Sequence, residues 1–255
     1  MKIQFKDVQN LDIAKELKAN IGLTYKLLEN VKNRSLKDQI QRSSLSCMTN
    51  FTRGISNVAK PVACVNSYFI AYGSARETYA WLMLLTKFKI IPLNEIEPLA
   101  NYYLELCYKL IKLINNAICE NNIKWSDIPT AKIFYQDSHR LNVYVKLQEL
   151  TIDVYNLAQA LSVTSFGDQL ISHSTSALLN IEEGLAFKQY QPKQYVKFLK
   201  DSLQQIYSTL ADLETFKSIA KADNKMDIDY NKIDFLIYEY TGAAKVVCTL
   251  INKNS

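Results

Sequence analysis

Glycine and proline are scarce in this chain: 255 residues hold 6 and 5 of them, too few for the many turns that a β-sandwich or barrel of this length needs. Histidine is scarcer still, with only His139 and His173, and neither has a cysteine or acidic residue at the spacing of a metal-ligand set. The five cysteines, Cys47, Cys64, Cys107, Cys119 and Cys248, are odd in number and scattered through apolar helical stretches. They read as reduced core thiols, not as a disulfide framework or a zinc site. No run approaches the roughly 18 uncharged apolar residues of a membrane span. Residues 1–12 interleave Lys2, Lys6, Asp7 and Asp12 with single apolar residues, unlike the apolar core of a secretion signal. The cytoplasm is the expected compartment.

Catalytic constellations are missing too. The chain has no G-x-S-x-G elbow, no phosphate-cradling glycine loop and no inward Glu-x-x-His pair of the kind that di-iron bundles use. Glu182 with Glu183, and Asp227 with Asp229, could be read as paired carboxylates, but they fall at a helix end and in a loop, where solvated acids normally sit. No catalytic residue, metal ligand or cofactor is therefore expected, since acids and bases that do chemistry come as a geometric set.

What is present is a repeat. Asp38, Gln39, Ile40, Ser44, Ser46, Asn50 and Gly54 recur as Asp168, Gln169, Leu170, Ser174, Ser176, Asn180 and Gly184, always 130 residues on. Ser74, Leu82, Leu85 and Phe88 recur at an offset of 128, and Asn94, Ile96, Leu99, Tyr103, Leu113 and Ile114 at an offset of 137. Small shifts in offset belong in loops between helices, so the chain reads as a tandem duplication. Apolar residues at spacings of three and four predict helices over about 12–30, 35–58, 61–89 and 94–119 in the first copy. In the second copy they fall at about 138–162, 165–188, 191–221 and 229–252. Ser35 with Asp38 reads as a loose capping box, Pro61 and Pro192 as first-turn residues, and Pro98 as tolerable in a first turn. The expected fold is all-α, two tandem antiparallel up-down-up-down four-helix bundles: residues 1–120, a linker 121–131 pinned by Trp125 and Ile128, and residues 132–255. The polar stretch 221–229 accounts for the enlarged offset as a surface loop.

Leu36, Gln39, Ile40, Arg42, Ser46, Asn50 and Gly54 resemble the pattern L-x-x-Q-I-x-R-A-x-x-S-I-x-x-N-I-A-E-G of the 23S ribosomal RNA intervening-sequence family. Ala71, Gly73, Ser74 and Glu77 are similar to its A-x-G-S-x-x-E on the third helix. In the second copy the run Asn180, Ile181, Glu182, Glu183 and Gly184 matches N-I-A-E-G more closely than the first copy does, but Ser172, Asp201 and Gln205 stand where the arginine, glycine and glutamate fall. The resemblance implies the bundle fold. It also implies kinship with the accessory variability determinant of diversity-generating retroelements, a basic ring-forming bundle that binds nucleic acid and partners a reverse transcriptase. A tandem copy departs from that single-bundle pattern, and two linked bundles already make a pseudo-dimer, so homo-oligomers through bundle faces would need fewer chains.

Charge divides the copies. Residues 1–128 carry 17 basic and 11 acidic side chains, residues 129–255 carry 13 and 14, so the net +5 resolves into +6 and −1. At about 100° per residue, Arg34, Arg42, Arg53 and Lys60 fall within about a quarter-turn along the second helix, away from its apolar side. Thr164, Ser172 and Glu183 stand at the positions of the three arginines in the second copy. A basic row of this kind can follow an RNA or DNA backbone, because each cation that neutralises a phosphate releases condensed counterions. Among the aromatics, Tyr190 and Tyr195 at a turn are the candidates for exposed base-stacking rings. Two readings follow: a non-catalytic nucleic-acid-binding accessory of a reverse transcriptase or other nucleic-acid enzyme, and a protein-interaction scaffold that never touches nucleic acid. A row of cations that serves only solubility is the plain alternative to both.

Overall fold

A computed structural model of the protein describes residues 11–121, 123, 133–159, 164–222 and 229–255. Trp125 and Ile128 of the linker, the middle of the 221–229 loop, the side chain of Thr164 and residues 1–10 lie outside the described residues. Among those described, every regular element is helical: α1 (Asp12–Leu27), α2 (Arg34–Ser56), α3 (Pro61–Lys87), α4 (Leu93–Glu120), a short 3-10 turn (Ser138–Arg140), α5 (Asn142–Gln159), α6 (Thr164–Leu185), α7 (Pro192–Ala222) and α8 (Tyr230–Asn254). They form two four-helix bundles. None of these helices is long and apolar enough to cross a membrane. The chain divides into two compact units, Met1–Gln136 with Leu185–Gln191, and Asp137–Gly184 with Pro192–Ser255.

In the first unit α1 packs on α2 and α4, α2 on α3, and α3 on α4. Pro61 opens α3, where its missing amide costs nothing, and α3 is the central helix, with Tyr68, Phe69, Tyr72, Trp81, Leu82 and Leu85 all buried. Two details differ from expectation. The cap of α2 is Asn33, whose side chain accepts from the Leu36 amide at 2.9 Å, so the helix starts ahead of the Ser35 box. Pro98 lies inside α4 beyond its first turn, where it removes the amide that the Asn94 carbonyl would otherwise receive. Between α3 and α4 the chain turns through Lys89 at φ 56°, a left-handed position usually given to glycine, which is one way a glycine-poor chain still closes a helix.

The repeated residues build each bundle's interior. In the first, the Tyr103 hydroxyl of α4 lies 3.2 Å from Thr24 Oγ1 of α1 and also bonds Ser44 of α2. In the second, the Tyr240 hydroxyl of α8 lies 2.6 Å from Ser174 Oγ of α6, which donates to Thr151 Oγ1 of α5 at 3.0 Å. Tyr103 and Tyr240, like Ser44 and Ser174, are repeat partners, so one buried hydroxyl cluster has been kept twice. Burial pushes Tyr240 up to about 12 and Tyr103 further, so both stay protonated and able to donate.

Ser46, Asn50 and Gly54 share one face of α2 at intervals of four. Ser46 Oγ lies 2.7 Å from Ser74 Oγ of α3, and Asn50 Nδ2 donates to Ser46 Oγ at 3.1 Å. A Cβ on Gly54 would fall on the ring of Tyr68, and one on Gly184 would lie 2.8 Å from Phe198 Cβ, whereas one on Gly242 of α8 would meet nothing within 4 Å. Tyr68 is itself buried and packs on Phe51 with ring centroids 6.2 Å apart, so it cannot swing away freely. Gly54→Ala is therefore expected to destabilise the protein by about 1–3 kcal/mol through overpacking, although alanine is the better helix former. Gly242→Ala should stabilise it by about 0.5–1 kcal/mol. Urea unfolding of both variants checks the pair; stabilisation by Gly54→Ala would refute the close approach.

Candidate nucleic-acid interface

The outer face of α2 is the strongest candidate for a polyanion contact. Its apolar side is committed to the core by Leu36, Ile40, Cys47 and Phe51, which forces the intervening positions outward. Arg34, Arg42 and Arg53 are all exposed, and the helix carries a single acid, Asp38. Arg34 reaches that acid at 3.8 Å, an i,i+4 pair with its own side chain 92 % exposed, so the pairing is worth little and leaves the guanidinium open to solvent. Arg53 Nη1 donates to Asn50 Oδ1 at 3.2 Å, which ties the arginine to the α2–α3 seam. Arg42 and Arg53 are eleven residues apart, about 16 Å along the axis and within about 20° around it. Lys60 is exposed but lies past the end of α2 at Ser56, in the residue before α3. The structure thus brings three arginines onto one helix, with the lysine beyond its end.

Behind Arg42 stands Glu77 of α3. Its carboxylate accepts from Trp81 Nε1 at 3.4 Å. Burial pushes Glu77 up to about 7, against the Trp81 hydrogen bond and the nearby positive charge of Arg42, which both favour its ionised form. Burial also pushes the Cys47 thiol up, and the Cys107 and Glu77 charges add to that. Cys47, Cys64 and Cys107 are buried, Cys248 is half-buried and Cys119 is exposed; all five are thiols.

Several expectations need correction. Tyr190 and Tyr195 are not exposed rings: they are 3 % and 1 % exposed. Tyr190 stacks on Phe69 with centroids 3.8 Å apart, and its hydroxyl donates to Asn66 at 3.3 Å. Tyr195 lies against Gly184, whose missing side chain makes room for it. Neither can stack on a base. Glu182 is buried, not a solvated acid at a helix end. Asp229 caps α8, accepting from the amides of Asn231 and Lys232. His173 sits in the middle of α6, and the fold gives it an acidic neighbour: Asp212 Oδ2 of α7 lies 2.7 Å from its Nδ1, while Gln169 Nε2 donates to Asp212 Oδ1 at 2.9 Å. That trio clips α6 to α7. Among the described residues no serine, cysteine or lysine bonds His173, and no group of three His, Cys, Asp or Glu side chains could hold a metal.

The second copy differs at the arginine positions in more than charge. Ser172 and Glu183 are half-buried where Arg42 and Arg53 are exposed, so the basic face has no counterpart there.

Residues 6–112, from ahead of α1 into α4, match the family model described as 23S rRNA-intervening sequence protein. The first bundle is similar to that family. Among curated proteins and solved structures, nothing matches the chain. The intervening-sequence match spans the capping, seam and glycine positions of α2 and α3, so the motif of the first copy is chiefly a packing motif. Arg42 is its outward-facing member.

The raised Glu77 gives a pH signature. A carboxyl held above its ordinary 4.5 binds its proton more tightly in the folded than in the unfolded chain. Stability must then fall as pH rises from about 4.5 towards 7, and level off above. Glu77→Gln is expected to remove this slope and to be more stable than the native chain by about 2–3 kcal/mol at pH 8, with little difference at pH 4. Urea unfolding across that range decides it; parallel curves for the two proteins would refute the assignment.

Proposed function

We propose that the protein is a non-catalytic nucleic-acid-binding accessory that works in the cytoplasm beside a reverse transcriptase or other nucleic-acid enzyme. The first bundle contacts the backbone and the second serves assembly. The observation that carries this reading is the exposed row of Arg34, Arg42 and Arg53 on one helix of a bundle similar to a family named for an rRNA sequence. Lys60 extends the row beyond the helix end. The contact is electrostatic and backbone-directed, for the face offers guanidinium forks that match phosphate oxygens and no exposed aromatic ring for bases. Its one acid, Asp38, lies at the Arg34 end, which leaves Arg42 and Arg53 the stretch of the helix free of acids. Kinship with retroelement accessory proteins, drawn from the α2 and α3 motifs, supports the choice of enzyme partner.

Such binding weakens steeply with salt. Each phosphate neutralised on a duplex contributes about −0.9 to the slope of log K against log salt. Removing Arg42 and Arg53 is expected to flatten that slope by about 2 and to weaken binding similarly for every sequence tested. Fluorescence anisotropy with labelled RNA and DNA, for the native chain and for Arg42→Glu with Arg53→Glu, measures both. Binding indifferent to salt and to charge reversal would remove the proposal and leave the protein-scaffold reading in its place.

A further inference from the structure

The first bundle has a second surface that the arginine row does not use. On one side α1 and α2 part to leave a groove of about 780 Å3, walled by Ile21, Gly22, Leu45 and Met48 and edged by Lys15 and Lys18. Leu45 is 45 % exposed on this wall, and a Cβ on Gly22 would meet nothing within 4 Å. Glycine in the middle of a helix is a cost that close packing usually offsets. At Gly22 none of the described residues takes up the space.

We propose that this groove seats an amphipathic α-helix of a partner protein, its apolar stripe on Ile21, Leu45 and Met48 and its acidic flank on Lys15 and Lys18. The occupant must be helical because both walls are helices whose backbone bonds are internally satisfied, leaving no edge to pair with an extended strand. Gly22 lets that helix approach closely. The flank must be acidic because the lining holds two cations and no anion. Glu16 of α1 is drawn away to Lys109 of α4 at 2.5 Å. From Ala14 to Gly22 the wall runs about 12 Å, room for roughly two turns of a bound helix.

Two other occupants fit less well. Nucleic acid would need aromatic platforms or polar groups on the floor, and the lining offers only aliphatic side chains and Met48 between the two lysines of its edge. A second copy could offer the exposed Phe235, Tyr238 and Val246 of α8. The acids beside them, Asp234 and Glu239, are already paired with Lys217 and Lys146, and the exposed charge there is Lys245, so like would meet like.

The test uses two fluorescein-labelled peptides of about 18 residues with one leucine stripe, flanked by glutamates in one and lysines in the other, titrated with the full chain by anisotropy. The glutamate peptide is expected to bind at least tenfold tighter. Lys15→Glu with Lys18→Glu should reverse that order. Gly22→Leu should weaken the glutamate peptide at least tenfold while leaving the helical circular dichroism, the melting temperature and the salt slope of nucleic-acid binding unchanged or improved, because the site is open and leucine is the better helix former. Equal binding of the two peptides, no binding of either, or indifference to Gly22→Leu overturns the proposal. So does displacement of the glutamate peptide by an oligonucleotide, or a dimer of the chain alone, seen by sedimentation, that Gly22→Leu converts to monomer.

Discussion

Everything in the first bundle is arranged around the close approach of α2 to α3. Gly54 leaves the space that the Tyr68 ring occupies, and Ser46, about two turns earlier, reaches Ser74 at 2.7 Å. Without a side chain at one end of this seam and with small hydroxyls at the other, the two helices can pack at short range along most of their length. Close packing has a directional consequence. It fixes the rotation of α2 about its own axis, because the Ser46–Asn50–Gly54 face must point at α3. Once that rotation is set, the positions of Arg34, Arg42 and Arg53 point outward by the geometry of 3.6 residues per turn. The basic face is thus a by-product of the seam as well as a feature of the sequence.

Asn50 makes this coupling local. Its amide donates into the seam through Ser46, and its carbonyl oxygen accepts from Arg53 on the surface. One buried side chain therefore holds the packing on one side and orients a guanidinium on the other. Glu77 acts on Arg42 only through charge: burial raises it towards neutral pH, and the arginine favours its ionised form. Arg53, tied to Asn50, gives up less freedom on meeting a phosphate than an arginine with no such bond.

The fold was legible in the sequence because it is written twice. Periodicity located all eight helices, and the offset of 130 between Ser44 and Ser174 and of 137 between Tyr103 and Tyr240 marked residues that the structure places in equivalent hydroxyl clusters. What escaped depends on contacts distant in sequence. His173 and Asp212 are thirty-nine residues apart, and no local pattern announces that α6 and α7 bring them to 2.7 Å. Tyr190 and Tyr195 follow a helix end, where a turn suggests exposure, yet Phe69 and Asn66 from far upstream cover the first, and the gap at Gly184 admits the second. The cap of α2 moved by two residues for a simpler reason. Asn33 and Ser35 are both good caps, and the one chosen is the one that lets Leu36 turn into the core.

Duplication releases constraint unevenly. A seam position such as Gly54 or Gly184 cannot change without overpacking a buried ring, so both copies keep it. An exposed position tolerates nearly any residue, with effects on stability usually within about 0.5 kcal/mol. Divergence between copies should therefore concentrate on the surface even when neither surface has a task. The arginines break that expectation in one respect: their counterparts Ser172 and Glu183 are half-buried, so the second copy changed the environment of this face as well as its charge. Cations are harder to keep at half-buried positions, since unpaired charge is costly away from water. The copy that kept this face in solvent is the copy that could keep its arginines. It is this physical asymmetry, more than the count of charges, that makes the first bundle the place to look for a polyanion.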